Sequence, residues 1–377
     1  MKMLQNLQLI PTDPLFENFA QFCADERAEK TNLGVGIFLD DRGENFVLPS
    51  VRDAAAKIPT KNFSYLPMRG HPQFLENCEK FFFGKISGEF AAQQSAGGSH
   101  ALRIGGDLFF RAGARKILVG APTWINHFGI FSKFKFEEFP HLKNGEINFS
   151  EYQKKISAAD ENSILLLQGG ASHNPIGKNF SKTQLENLLE ILRDKKIFVF
   201  VDFAYFGFGE KIKKDREWLQ ILAKNLENLA VAFSFSKNAS LYKQRVGALF
   251  IKTRAKNLVE SNLQNLMRQQ ISNPPAFGAE IMNFIFENSF EKWTAEVDDL
   301  QQKLVDRRQK LCAAVGEKFS EIKKTAGMFA LLPISPEKIN WLQKKFAIYL
   351  PDSGRINFGG VAPEKIDFLA KKFLEVL

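Results

Sequence analysis

Short apolar runs separated by segments with a helical pattern constrain the fold of this chain more than any other feature. The runs are residues 116–120, 163–167, 197–201, 229–235 and 246–251. Such runs are typical of strands buried on both faces of a parallel sheet. The clearest helical segment between them begins at a capping box, Ser181 and Gln184, and carries on one face Leu185, Leu188, Leu189 and Leu192. This alternation predicts an α/β fold.

Size and composition narrow the class of protein. At 377 residues the chain exceeds the length at which a single core usually stops growing, so we expect two domains. An apolar share of 45% and a charged share of 25% are ordinary for a globular protein. We find no apolar window long enough for a membrane span and no secretory leader pattern. The scattered cysteines Cys23, Cys78 and Cys312 fit neither a metal site nor a disulfide framework. We therefore expect a cytoplasmic protein that is not embedded in a membrane.

The formal net charge of +9 raises the question of nucleic-acid binding. Lysine and arginine are spread along the chain and alternate with acidic residues, and they form no dense basic run. This pattern favours a solvated basic surface over a nucleic-acid interface. A basic surface also attracts small anionic substrates.

Five chemically different side chains follow the predicted strands. They are an aromatic ring, an amide, a carboxylate, a phenol and an amine, supplied by Trp124, Asn174, Asp202, Tyr205 and Lys237. Ligands of doubly wound sheets bind beyond the carboxyl ends of the strands, so the joint placement predicts one site. Simpler readings stay open for single residues: Asn174 precedes a proline in a turn, Asp202 could cap a helix, and Trp124 could be a packing residue.

Lys237 lies between two apolar runs. Two hydroxyls, Ser234 and Ser236, precede it, and Arg245 follows it. Desolvation disfavours a charged amine, so a lysine in this position needs a partner or reacts as a neutral amine. The alternative is a lysine at the end of a strand whose stem is buried while its amine reaches water.

Three further features carry weaker signals. Residues 95–111 predict a helix whose small first residues, including Gly98 and Ser99, expose N–H groups suited to a phosphate, although Gly-Gly before a helix is common. Arg355 begins an apolar strand. Its position predicts either that it binds a ligand carboxylate or that it forms an ion pair with Asp352 at the rim of the site. Tyr65 lies in a loop, where a tyrosine is more often a packing or surface residue than a functional one.

Five motifs in order along the chain resemble one enzyme family. They are Ser-Phe-Ser-Lys-Asn, His-Asn-Pro-Ile-Gly, Asp-Phe-Ala-Tyr, Ser-Asn-Pro-Pro-Ala and Ser-Gly-Arg-Ile-Asn. Over residues 13–377 the chain resembles the fold-type I pyridoxal-phosphate aminotransferases of the aspartate and aromatic subgroup. The resemblance implies a large domain with a mixed, mostly parallel seven-stranded sheet covered by helices, at residues 37–297. It also implies a smaller α+β domain built from both chain ends, comprising an arm and part of that domain at 1–36 and the rest at 298–377.

The resemblance also implies roles for the site residues. Lys237 bonds covalently to the cofactor and then moves the proton of the substrate, and Asp202 pairs with the ring nitrogen. Asn174 and Tyr205 hydrogen-bond the phenolic oxygen of the ring. Trp124 stacks on the ring, with His127 and His173 behind it. The phosphate is held by Gly98, Ser99, Ser234, Ser236 and Arg245.

On the substrate side, the resemblance implies that Arg355 binds the α-carboxylate, next to Trp124 and Asn174. It implies that Arg268 binds a distal carboxylate and that Tyr65 contacts the phosphate, both from the second subunit of a homodimer. Gly36 and Phe329 match positions that line the substrate. Leu39, Ile37 and Ser99 depart from the aspartate-specific pattern and make the entrance more apolar, which favours aromatic substrates beside dicarboxylates.

The function implied is transfer of an amino group from aspartate or an aromatic L-amino acid to 2-oxoglutarate by a ping-pong mechanism. Two other classes stay open. A β-lyase on the same fold has no need of the distal carboxylate site that Arg268 implies. A non-catalytic cofactor-binding regulator or nucleic-acid binder would need an appended DNA-binding motif, and none is visible in the sequence.

Overall fold

A computed structural model describes residues 3–10, 12–59, 64–170 and 172–377. It divides into two compact units. The larger comprises residues 45–306 and 324–329, and the smaller comprises residues 1–44, 307–323 and 330–377. The domain boundaries predicted after residues 36 and 297 stay predictions, and residues 1, 2 and 11 of the predicted arm lie outside the described residues.

The strands of the described chain are short, and most of them belong to one sheet. Their bounds are β1 Thr31–Asn32, β2 Phe90–Ser95, β3 Lys116–Ala121, β4 Lys135–Pro140, β5 Leu142–Lys143, β6 Glu146–Ile147, β7 Ser163–Gln168, β8 Phe198–Phe203, β9 Leu229–Ser234, β10 Gly247–Lys252, β11 Phe329–Leu331, β12 Ile348–Tyr349 and β13 Arg355–Asn357. The larger unit contains a seven-stranded sheet in the order β2-β10-β9-β8-β7-β3-β4. Strand β10 is antiparallel to both of its neighbours, whereas the other pairs are parallel. The mixed, mostly parallel sheet is therefore confirmed, and the prediction that residues 246–251 form a parallel strand is wrong.

Helices make up most of the remaining described chain. The α-helices are α1 Pro14–Ala24, α2 Pro49–Lys57, α3 Pro72–Phe83, α4 Gly98–Arg111, α5 Asn126–Ile130, α6 Phe149–Ser157, α7 Lys182–Arg193, α8 Lys211–Asn225, α9 Lys256–Gln270, α10 Phe277–Asn288, α11 Phe290–Val315, α12 Ser320–Lys323, α13 Pro336–Phe346 and α14 Ile366–Leu374. Short 3-10 segments occur at Met3–Asn6, Gly84–Ile86, Gly316–Phe319, Phe358–Gly360 and Pro363–Lys365. In the part of the chain that the structure describes, no helix is both long and apolar enough to cross a membrane.

The central strands are buried because helices pack on the sheet. Every residue of β9 and β10 is buried, as the continuous apolar runs predict. Helix α4 contributes Leu102, Ile104 and Phe109 to a cluster with Phe200 of β8. The sheet therefore holds the ends of its strands in fixed positions, and the loops after them carry the polar side chains described below.

Local sequence signals set the helix ends. The predicted capping box of α7 is present, since Ser181 Oγ accepts from Gln184 N and Gln184 Oε1 accepts from Ser181 N. Helix α4 begins at Gly98, and its N-cap is Gly97 with φ of +81°. The predicted start at residue 95 is therefore wrong, because Ser95 ends strand β2 and Gly97 makes the turn between strand and helix.

The smaller unit contains two-stranded pairs and helices from both chain ends. Strand β1 pairs in parallel with β12, and β11 pairs with β13. Side chains join the two ends of the chain: the Asn357 amide donates to Val35 O at 2.6 Å and to Ile37 O at 2.7 Å. Arg307 donates to Gly359 O and to Leu39 O. These bonds fix the segment that contains Gly36.

Candidate active site

A cavity lies at the carboxyl ends of β7, β8 and β9, within the larger unit. The lining residues are Gly98, Ser99, Leu102, Trp124, Gln168, Asn174, Asp202, Ala204, Tyr205, Ser234, Ser236, Lys237 and Arg245. The five side chains predicted to share one site therefore do so, and the cavity also includes the predicted phosphate-binding residues.

Lys237 lies in the turn that follows β9 and is half-buried. Its Nζ lies 4.9 Å from the centroid of the Tyr205 ring. The next residue anchors this turn, since Asn238 Nδ2 donates to Phe206 O and Asn238 O accepts from Trp293 Nε1, each at 3.1 Å. The amine is thus held against the phenol by a turn that is bonded to two other segments of the chain, once through the Asn238 side chain and once through its backbone.

One end of the cavity is built to receive an anion. The first turn of α4 presents backbone N–H groups there, and the Arg245 guanidinium lies beside them. Ser234 Oγ donates to Ser236 Oγ at 3.0 Å, and Arg245 Nη1 donates to Ser236 Oγ at 3.4 Å. A Cβ added at Gly97 would lie 2.6 Å from Arg245 Nη2, so only glycine lets the guanidinium approach the helix start.

A carboxylate lies in another part of the cavity wall. Asp202 is buried in β8, and its Oδ2 lies 3.1 Å from His127 Nε2. His127 Nδ1 in turn lies 2.8 Å from Thr123 Oγ1. Asp202 Oδ1 also accepts from Ala204 N at 3.2 Å. The carboxylate is therefore oriented by its neighbours, and the cavity brings a cationic end and a carboxylate into one small volume.

Gln168 lines the cavity, and the sequence analysis did not identify it. It is the last residue of β7 and directly follows the apolar run, which ends at Leu167. Its amide is bonded to the backbone of Asn174 in both directions, accepting from Asn174 N and donating to Asn174 O, each at 2.9 Å. The signal that could have found it is its position, because it follows the apolar run directly, as the predicted site residues follow theirs.

A buried aromatic cluster surrounds His173. The His173 ring stacks on His141 with centroids 4.2 Å apart, and His141 Nδ1 lies 2.7 Å from Tyr152 Oη. Burial lowers the pKa of His173 well below its usual value, and the proximity of two other imidazoles, His141 and His127, lowers it further. Burial lowers the pKa of His141 to about 4, opposed by its contact with Lys178 O. Both rings are therefore neutral near pH 7.

The predicted site residues Tyr65, Arg268, Gly36, Arg355 and Phe329 do not line this cavity. Tyr65 is 88% exposed, and Arg268 is exposed on α9, where it donates to Ser272 Oγ. Gly36 and Arg355 belong to the smaller unit. Arg355 is buried there and donates from Nη2 to Gly34 O at 2.5 Å. The roles of these residues stay predictions.

Side chains of the types that bind metal ions form no cluster within the described ranges. Across residues 3–10, 12–59, 64–170 and 172–377, no group of three or more His, Cys, Asp or Glu residues is placed to hold a metal ion.

Comparison with known proteins gives the family. The family model described as aminotransferase class I and II matches residues 28–373. The chain is 32% identical to the aspartate aminotransferase of Salmonella typhi, over 95% of this chain and 96% of that protein. It is 30% identical to the tyrosine aminotransferase of Rhizobium meliloti (strain 1021), over 93% and 94%. These matches agree with the five motifs on which the resemblance rested.

Solved structures agree with the family match. An aromatic-amino-acid aminotransferase from Burkholderia pseudomallei, covalently bound to pyridoxal phosphate, superposes with a TM-score of 0.92 at 29% identity, and the match covers 100% of both chains. The cytoplasmic aspartate aminotransferase of Saccharomyces cerevisiae superposes with a TM-score of 0.93 at 28% identity, over 99% and 98%. The fold and the cavity thus define a pyridoxal-phosphate-dependent transferase. The chain belongs to the class I and II aminotransferase family, in its aspartate and aromatic subgroup. The predicted family, enzyme class and cofactor are confirmed.

Proposed function

We propose that this aminotransferase moves the amino group of aspartate or of an aromatic L-amino acid to 2-oxoglutarate by a ping-pong mechanism. The observation that supports this function most directly is that Lys237, Asp202 and the anion-binding end of α4 line one cavity. The names of the relatives support the substrate class, since they include aspartate, tyrosine and aromatic-amino-acid aminotransferases.

The donor set of the cavity fits pyridoxal phosphate. Gly98, Ser99, Ser234, Ser236 and Arg245 would hold the phosphate, Asp202 the ring nitrogen, and Asn174 and Tyr205 the phenolic oxygen. Trp124 would cover a face of the ring. When bound, the cofactor supplies an electron sink for the carbanion formed at the substrate Cα. The protein supplies orientation, charge and proton transfer around it.

The residues around the reacting atoms divide the work between them. Lys237 would anchor the cofactor and, as a neutral amine, would move the proton of the substrate Cα. Asp202 keeps a proton on the ring nitrogen by its negative charge, and His127 holds the carboxylate in place at 3.1 Å. Tyr205 lies beside the amine of Lys237 and so limits its orientation.

Substrate recognition is assigned to arginines outside the cavity lining. Arg355 would bind the α-carboxylate through its planar fork, with Gly36, Trp124, Asn174 and Phe329 around the substrate. Arg268 would bind a distal carboxylate. Because Arg268 and Tyr65 are exposed, a homodimer in which each reaches the site of the partner subunit is part of this proposal. The unpaired cysteines Cys23, Cys78 and Cys312 support a reducing, cytoplasmic location.

A half-reaction screen tests the proposal. Protein loaded with pyridoxal phosphate is mixed with single amino acids, and the visible absorbance of the cofactor is followed. We expect conversion with aspartate, phenylalanine, tyrosine or tryptophan, and reversal on adding 2-oxoglutarate. No conversion with any of them contradicts the proposal. Continuous formation of a keto acid and ammonia without an amino acceptor indicates a β-lyase instead.

A further inference from the structure

The hydrogen bonds of Gln168 determine the orientation of its amide. Asn174 N donates to Oε1, and Nε2 donates to Asn174 O. A flipped amide would bring donor against donor and acceptor against acceptor, so the backbone of Asn174 allows one orientation only. One Nε2 hydrogen is used in this pair, and one remains.

The second hydrogen of Gln168 Nε2 points to Thr123. The distance from Nε2 to Thr123 Oγ1 is 3.0 Å, whereas His173 Nε2 is 3.5 Å away and too distant for a strong bond. An amide N–H can only donate, so Thr123 Oγ1 accepts. Thr123 Oγ1 lies 2.8 Å from His127 Nδ1, and His127 Nε2 lies 3.1 Å from Asp202 Oδ2, so the contacts continue from Thr123 to the carboxylate. Thr123, His127 and Asp202 are all buried, so water does not easily replace these bonds.

Gln168 therefore connects two groups that act on different atoms of the cofactor. Through the backbone of Asn174 it holds the residue assigned to the phenolic oxygen. Through Thr123 and His127 it reaches the carboxylate assigned to the ring nitrogen. We propose that Gln168 is a positioning residue that holds Asn174 and Asp202 in register with each other around the cofactor. The inference rests on the proposed function, because it assumes the cofactor-binding roles of those two residues.

A matched pair of substitutions tests the proposal. Gln168→Met keeps the length of the side chain and removes all of its hydrogen bonds. Gln220→Met is the control, since Gln220 is also a half-buried glutamine of the larger unit, and it donates to Phe82 O at 3.1 Å without lining the cavity. Both proteins are loaded with pyridoxal phosphate and compared with the unmodified enzyme.

For Gln168→Met we expect kcat to fall about tenfold while KM for the amino acid changes less than about twofold, because Gln168 acts through other residues and does not bind the substrate. We also expect the Kd for pyridoxal phosphate to rise about tenfold and the midpoint of the visible-absorbance pH titration to shift. Gln220→Met should leave all four quantities unchanged. Equal behaviour of the two variants overturns the proposal.

Thr123→Val provides a second, independent test. It keeps the shape of the side chain and breaks the connection between Gln168 and His127, so it carries the test if Gln168→Met does not fold. It should lower kcat and shift the absorbance titration, and the double variant should be no worse than Gln168→Met. Fully additive losses contradict the proposed chain of contacts. If the unmodified protein neither retains pyridoxal phosphate nor transaminates, the proposed function itself has failed.

Discussion

His127 Nε2 lies 3.1 Å from Asp202 Oδ2, and both side chains are buried at the wall of the cofactor cavity. The imidazole gives Oδ2 of the carboxylate a hydrogen-bond donor, and this contact fixes the orientation of the carboxylate. A buried carboxylate with its orientation set in this way is suited to holding a proton on a heterocyclic nitrogen. The charge of Asp202 is therefore central to the chemistry. A substitution that removes the charge and keeps the shape of the side chain separates the two contributions.

Replacing Asp202 with asparagine removes that charge and keeps the size of the side chain. We expect Asp202→Asn to lower kcat about 10²- to 10³-fold, the loss typical of one removed electrostatic partner in an active site. Steady-state kinetics measure it. Asp298→Asn is the control, since Asp298 Oδ1 accepts from Ile212 N at 3.0 Å and an amide oxygen can do the same. Equal kinetics in the two variants would remove Asp202 from the mechanism.

Arg245 donates long hydrogen bonds, of 3.3–3.4 Å, to Ser236, Tyr242 and Ala96. We expect Arg245→Gln to raise the Kd for pyridoxal phosphate about 10- to 100-fold, because a hydrogen bond to a charged group is lost. Equilibrium binding measures the change. Arg254→Gln, another exposed arginine, should leave the Kd unchanged. An unaltered Kd in Arg245→Gln would exclude a phosphate contact.

Arg268 tests the substrate assignment. Arg268→Gln should lower kcat/KM for aspartate about 100-fold or more and leave that for phenylalanine within a few-fold, because only aspartate has a distal carboxylate to pair. The measurement is kcat/KM for both substrates, with Arg254→Gln as the control. Equal losses for both substrates contradict a distal-carboxylate role.

The stability of the fold should depend on pH through His141. Its folded pKa of about 4 is below its ordinary value of 6.5, because burial disfavours the cation. The unfolded chain therefore binds the proton first, and the free energy of unfolding decreases as pH falls through this window. Between about pH 7.5 and 5, His141 alone should cost about 2 kcal/mol. Urea unfolding at both pH values measures the difference. His141→Gln should reduce the pH dependence by that amount, and an unchanged dependence contradicts the assignment.

The apolar runs located the central strands because those strands are buried on both faces. The edge strands were missed for a physical reason. Strand β2 contains Gln93 and Gln94, which are fully buried because their amides bond to Met68 O and Pro275 O, so no apolar run marks it. Strand β4, at the other edge of the sheet, reads Lys-Phe-Glu-Glu-Phe-Pro, so no continuous apolar run marks it either. A sequence pattern does not show such long-range partners.

The ends of a helix can also depend on contacts that a sequence pattern does not show. The apolar stripe of Leu300, Leu304, Leu311, Val315 and Phe319 predicts a helix over residues 298–319, whereas α11 spans Phe290–Val315, so both predicted ends are wrong. It begins earlier because Trp293 is buried against the turn of Asn238, a contact distant in sequence. It ends at Gly316, whose φ of +80° cannot continue an α-helix.

The site was largely predictable because parallel strands bring their carboxyl ends together. Trp124, Asn174, Asp202, Tyr205 and Lys237 follow different strands and still line one cavity. Gln168 was missed because its role depends on bonds to Asn174 and Thr123 that only the folded chain makes. Residues expected from a second subunit depend on an assembly that one chain does not contain.

The attachment of the cofactor is the most direct test. Protein loaded with pyridoxal phosphate is reduced with borohydride and digested, and the masses of its peptides are measured by mass spectrometry. The peptide that contains Lys237 should gain the mass of the reduced cofactor, Lys243→Ala should show the same label, and Lys237→Ala should show none and lose turnover. A label on another lysine, or turnover that survives in Lys237→Ala, would contradict the account.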